Sequence, residues 1–168
     1  MSSMSIVRVA KGADYDEVWR LLIAAHAENA LFPLAPDKVQ WFVNRMLCPE
    51  SIPDEDTGVR GVIGIIGKPG ALEGLVFVII GEFWYSHQKH LEEIIIYVDP
   101  AHRRSNHAKA LVQWMKDQVE VTKLPLLTGI MSNNRTEAKV RLYERMLPKI
   151  GAFFFMTPKG GNVVMASS

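Results

Sequence analysis

The chain has 168 residues, with 19 lysines and arginines against 18 aspartates and glutamates, a formal net charge of +1, 48% hydrophobic residues and 22% charged residues. These are the proportions of an ordinary globular protein with enough apolar side chains to fill a core, so disorder is excluded as the main state. The near-neutral balance offers no global basic field for nucleic acid, and the lone cysteine, Cys48, excludes an intrachain disulfide and fits a reducing compartment. Residues 1–11 lack the basic and apolar regions of a secretory signal, and no apolar run is long enough to span a bilayer. The expectation is a cytoplasmic protein with no membrane partner. No repeat, low-complexity tract or Pro/Gly/Ser-rich linker divides the sequence, so residues 1–168 read as one domain.

Residues 5–10 alternate weakly and predict a first strand. Asp14, with Glu17 three residues on, predicts a capped helix start, and Val18, Leu21, Leu22 and Ala25 follow at helical spacing. Pro33 and Pro36 break that helix. A second opens near Pro36 and Asp37, with Val39, Phe42, Val43 and Met46 on one face. The polar, acidic stretch 49–57 is a loop. Residues 58–67 and 75–80 form two apolar runs around the turn Lys68-Pro69-Gly70, which predicts a hairpin. Ile94-Ile95-Ile96-Tyr97-Val98 is too apolar for a strand with one wet face and predicts a central strand covered on both sides, ended by Pro100. Ala108, Leu111, Val112, Met115 and Val119 form the stripe of a long helix. Residues 126–130 predict another strand. Asn134 can cap a helix with Glu137 at its third position and Ala138, Leu142 and Met146 on one face. Residues 153–156 and 162–165 flank Pro158-Lys159-Gly160-Gly161 and predict a closing hairpin. The order β-α-α-β-β-β-α-β-α-β-β predicts an α/β sandwich with a mixed sheet rather than a strict βαβ repeat.

The stretch that carries chemistry is Val98-Asp99-Pro100-Ala101-His102-Arg103-Arg104-Ser105-Asn106-His107-Ala108. A buried strand ends, a short polar loop turns and a helix begins. The first-turn amides of a helix have no intrahelical partner, and with the helix dipole they favour an anion. Two arginines add positive charge. A phosphate or pyrophosphate site is one reading of these residues; an arginine-rich surface turn is the other.

Here the sequence resembles the GNAT superfamily of acyl-CoA-dependent N-acyltransferases. That family carries Gln/Arg-x-x-Gly-x-Gly/Ala between its fourth strand and third helix, usually after a valine and a proline. Val98, Pro100, Arg103 and Ala108 match in register, and Asn106 replaces the middle glycine. Asparagine tolerates a left-handed backbone, so one expectation is that Asn106 keeps the loop's shape, and the other is that it weakens cofactor binding. The resemblance runs from Ile6 to about Met165. It implies a three-layer sandwich with a mixed, mostly antiparallel central sheet flanked by helices. It implies acetyl-CoA as co-substrate, its pyrophosphate held by the loop of Arg103, Arg104, Ser105, Asn106, His107 and Ala108. Pantetheine would lie along the strand end of Ile96, Tyr97 and Val98, in a gap opened by splaying from the next strand, and Asn134 would touch it. The family often places an acid in a helical pattern like Leu142-Tyr143-Glu144 and a base before the central strand.

The implied reaction is direct attack of an amine on a thioester in a ternary complex. The amine must lose a proton and the leaving thiolate gains from receiving one. Tyr143 is the expected acid. The base is expected at Glu92, which uninterrupted alternation puts in phase with Ile94, Ile96 and Val98, while Glu93 faces the other side. The plain alternatives are a tyrosine packed on its helix and two solvated strand-end charges. The acceptor is a small-molecule or peptide amine, with specificity expected from residues 28–36, residues 82–90 and the final hairpin. Nucleic acid is not expected as partner, and a homodimer is compatible with the reading. A non-catalytic acyl-CoA-binding or regulatory domain with the same fold, and an anion-binding interaction module, are the rival readings. Gly61-x-x-Gly64-x-x-Gly67-Lys68 lacks the spacing and the Ser/Thr of a phosphate-binding P-loop, and His87-x-x-His90-x-Glu92 lacks the further ligands of a metal site, so no metal is expected.

Overall fold

The computed structural model describes residues 6–132 and 134–160. Strand β1 (Arg8–Val9) leads into helix α1 (Tyr15–Asn29) and helix α2 (Pro36–Leu47). Strands β2 (Arg60–Lys68), β3 (Ala71–Glu82) and β4 (Lys89–Val98) form a meander. Helix α3 (His107–Thr122), strand β5 (Leu126–Leu127) and helix α4 (Thr136–Met146) follow. The sheet order is β1-β2-β3-β4-β5. All neighbours are antiparallel except β4 and β5, which run parallel. Two glycines with positive φ, Gly67 and Gly70, turn β2 into β3.

The sheet is the middle of three layers. On one face Ile63, Ile65, Leu75, Phe77 and Tyr97 pack on Val18, Leu21 and Ala25 of α1 and Val43 and Met46 of α2. On the other, Ile66, Val76, Val78, Leu91 and Val98 pack on Leu111, Val112 and Met115 of α3 and Tyr143 of α4. Period-2 alternation along β2 and β3 sends neighbouring residues to opposite cores, which is why these strands read as continuous apolar runs. This is the expected α/β sandwich with a mixed sheet.

Local expectations differ in several places, beginning with β1, which is Arg8–Val9 rather than residues 5–10. Asp14 does not cap α1 with its side chain. Its carboxylate instead accepts a two-point ion pair from Arg8 at 2.8 and 3.0 Å, together with the Lys11 amide. The Arg8 hydrogen bonds hold the Asp14 carboxyl below its ordinary range. Asn134 does not cap α4: the cap residue is Arg135, in the left-handed region at φ 53°. Strand β5 is two residues long rather than five, since only Leu126 and Leu127 find partners on β4. Residues 153–156 form no strand, having no ladder partner among the described residues. The other half of the expected hairpin, residues 162–165, lies outside the described residues.

Candidate active site

Strands β4 and β5 pair only at Leu91–Leu126 and Glu92–Leu127. β4 runs on to Val98, so a gap opens beside Ile96, Tyr97 and Val98. At the mouth of the gap the β3–β4 register shifts: Phe77 faces Ile95, but Val78 faces Glu93, and Ile94 is the extra residue. A bulge of this kind reverses the side-chain phase of a strand on either side of it. Glu93 therefore turns to the same face as Leu91, Ile96 and Val98, toward α3 and α4, and Glu92 turns to the other. This corrects the alternation read from sequence, which grouped Glu92 with Ile96 and Val98.

The bulge brings Glu93 to Tyr143. The Tyr143 hydroxyl donates to Glu93 Oε2 at 2.6 Å, and the Thr128 hydroxyl donates to the same oxygen. Burial pushes the Glu93 carboxyl up to about 7, against the two hydrogen bonds, which lower it. Burial, and then the neighbouring Glu93, push the Tyr143 hydroxyl well above the ordinary phenol range. Near neutral pH the phenol therefore keeps its proton while the carboxyl passes between its two protonation states. Tyr143 is the buried residue of α4, 8% exposed, so its ring does pack, contrary to an apolar face set by Ala138, Leu142 and Met146 alone. Glu92 is more exposed and lies 3.5 Å from Nε2 of the buried His90, whose ring stacks on Phe83.

The loop after β4 is held from several sides. Asp99 accepts from the Ala101 amide at 3.1 Å and from Arg20 of α1 at 3.0 Å. Arg103 donates to the Val98 carbonyl at 3.0 Å and to Glu28 of α1 at 2.5 Å, and its guanidinium lies 5.5 Å from the Tyr97 ring centre. Glu73 of β3 meets His107 Nε2 at 2.5 Å. Glu73, His102 and His107 bring their ligand atoms within 4.8 Å of one another and are the described residues whose geometry could hold a cation. Asn106 has φ −88° and ψ 14°, so its backbone is not left-handed and the expectation built on that conformation is corrected. These angles lie in the bridge region at negative φ, which requires neither glycine nor asparagine. The amides of Arg104, Ala108 and Lys109 find no protein partner among the described residues, and those of Ala108 and Lys109 belong to the first turn of α3, at its positive end. Beside them is a cavity of about 150 Å³ lined by Ile96, Tyr97, Val98, Arg103, Ser105 and Ala108 and closed by Leu142 and Tyr143.

Asn134 stands next to this cavity through Glu28, to which its side-chain amide donates at 3.1 Å. Glu28 thus ties Arg103 to the start of α4, a link over a hundred residues of sequence that no local pattern signals. Lys139 donates to Asn29 at 2.6 Å and Ser132 at 2.7 Å, and burial lowers its pKa. Adjoining this cavity, with Ile96 and Lys139 in the walls of both, is a cavity of about 600 Å³ between α1, α2 and residues 127–132. Glu92 and Glu93 line the larger cavity and Tyr143 the smaller, so the Tyr143–Glu93 hydrogen bond passes from one to the other. Residues 82–90, expected to shape specificity, do not line it. The arrangement brings together amides without protein partners at the start of α3, a slot between parted strands, and a phenol and a carboxyl that share a hydrogen bond. No described helix is long and apolar enough to cross a membrane.

The model of the acetyltransferase (GNAT) family matches residues 16–147. A search of curated proteins returns no match. Among solved structures, a ribosomal-protein-alanine N-acetyltransferase from Brucella melitensis biovar Abortus 2308 is 18% identical, with TM-score 0.63 over 91% of this chain and 97% of that one. A Trypanosoma brucei acetyltransferase is 15% identical, with TM-score 0.61 over 91% and 98%. AAC(6')-Iy, solved in complex with the bisubstrate analog CoA-S-monomethyl-acetylneamine, is 14% identical, with TM-score 0.65 over 93% and 99%.

Proposed function

The chain belongs to the GNAT acetyltransferase family, and from that premise we propose that it is an N-acetyltransferase that uses acetyl-CoA and an amine acceptor, acting as a single domain by direct transfer in a ternary complex. The observation that carries the reading is the Tyr143–Glu93 hydrogen bond of 2.6 Å spanning the two cavities at the point where β4 and β5 part. The residues present fit acetyl-CoA. Unpartnered amides at Arg104, Ala108 and Lys109 suit a pyrophosphate. The edge of Ile96, Tyr97 and Val98, which β5 does not reach, suits the amides of a pantetheine arm. When bound, acetyl-CoA supplies an activated acetyl group and a sulfur leaving group. Glu93, ionised, accepts the acceptor's proton at Oε1, since Oε2 already accepts from Tyr143 and Thr128. Tyr143, kept protonated by its raised pKa, holds a proton at its hydroxyl for the sulfur. Thr128 orients Glu93. Arg103 and Glu28 hold the loop at its distance from α1. Positioning within the slot supplies much of the remaining acceleration.

Release of free thiol from acetyl-CoA across an amine panel tests this. The expected result is amine-dependent release with a matching acetylated product. Tight binding of acetyl-CoA with no release under any amine would leave the non-catalytic binding domain as the reading. Absence of both would favour the anion-binding module.

A further inference from the structure

The larger cavity has few charged groups among its described lining residues. Its walls are built from side chains such as Leu22, Leu34, Phe42, Phe77, Ile79 and Ile95. Phe153 closes one end, its ring filling the space left by Gly129, which has no side chain. Among the described lining residues two are acidic, Glu92 and Glu93, and Lys139 is a basic side chain fixed in place by Asn29 and Ser132. His26 is engaged with the Phe32 carbonyl at 2.9 Å.

We propose that the acceptor is a monoamine carried on an apolar body, an alkylamine or arylalkylamine, and not a polycation. The proposal rests on the acetyl-transfer reading above. An ammonium brought out of water needs a carboxylate partner. Glu93 is committed to Tyr143 and Thr128 and to the proton of the reacting nitrogen. That leaves Glu92, 42% exposed, for any second ammonium, and Lys139 in the same wall adds a like charge. A polyamine or an aminoglycoside carries several further charges and would leave them unpaired against leucine, isoleucine and phenylalanine. An alkyl or phenyl group placed there instead leaves water for an apolar wall, and gains with every methylene.

The test is kcat/KM for n-butylamine, n-hexylamine and 2-phenylethylamine against spermidine, neamine and a hydrophilic peptide with a free N-terminus. Each methylene added from butyl to hexyl should raise kcat/KM by about fourfold. Spermidine, neamine and the peptide should lie at least about a hundredfold below n-hexylamine. Leu34→Asp, on the cavity rim and off the sheet, should reduce n-hexylamine turnover about tenfold and narrow the gap to spermidine. Unchanged melting and unchanged acetyl-CoA binding in that variant exclude a folding defect. Spermidine, neamine or the peptide acetylated as well as n-hexylamine overturns the apolar acceptor and leaves acetyl transfer standing. No amine acetylated by a protein that binds acetyl-CoA overturns both.

Discussion

At Glu93 burial and hydrogen bonding act in opposite directions, and burial wins. The folded carboxyl titrates near 7, above its ordinary 4.5. Between those values the native state holds a proton that the unfolded chain has released, so the contribution of Glu93 to stability falls as pH rises from about 4.5 to 7 and is level above. Glu93→Gln lacks this loss. Its stability relative to the parent should grow from pH 5 to pH 8, measured by urea unfolding, and a constant difference would show that Glu93 does not titrate in that window. Activity should run the other way, rising with pH through about 7 as the base ionises, and Glu93→Gln should lose about 10²- to 10⁴-fold in turnover. Tyr143→Phe keeps the buried ring and removes the hydroxyl, so acetyl-CoA affinity should hold while turnover falls by about 10²- to 10⁴-fold. It also deletes a hydrogen bond that lowers the Glu93 pKa, so the acid limb of the remaining activity should move to higher pH. Full activity with an unmoved limb would remove Tyr143 from the mechanism.

The start of α3 makes a separate prediction at the scale of the element. Asn106 has angles that require neither glycine nor asparagine, so the cradle depends on amides rather than on the residue at 106. Ala108→Pro deletes one unpartnered amide within the first helical turn, where proline is tolerated. A hydrogen bond to a charged group is worth about 1.5–3 kcal/mol, so acetyl-CoA affinity should fall about 10- to 100-fold by calorimetry with helix content unchanged. Unaltered affinity would place the pyrophosphate elsewhere. The elements themselves were largely legible in the sequence. The stripes of α1, α2 and α3 and the β2–β3 turn follow from spacing and from glycine at positive φ. The β4 bulge was not, because a strand of consecutive isoleucines has the same apolar pattern with or without an inserted residue. Its phase was decided by β3 and by the polar groups that Glu93 meets. The cap of α4 was misread for a related reason: Asn134 has a better partner in distant Glu28.

For the whole molecule, any ligand confined to the native state raises melting by mass action. Acetyl-CoA at a hundred times its Kd stabilises by about 2.7 kcal/mol, which for a chain of this size is a rise of about 5–10 °C. A pantetheine fragment without pyrophosphate should do much less, since it leaves the α3 amides unfilled. Equal shifts from both would contradict the assignment of the loop.

The sequence alone determined the order of elements up to α4, the packing of β4 against both cores, though not its full burial, since Ile94 is half exposed and β4 lies next to the sheet edge, and the strand–loop–helix stretch 98–108 with its positive helix end. These depend on local periodicity, backbone preferences and charges adjacent in the chain, so they survive without knowledge of contacts. The tertiary structure decided which of two neighbouring glutamates meets Tyr143, where β4 and β5 part, and which residues line each cavity. Those outcomes depend on register between strands, on a one-residue bulge and on contacts such as Glu28–Arg103, between groups 75 residues apart in sequence. Such contacts form because burial brings polar groups together and each must then find a partner, a condition satisfied only in three dimensions.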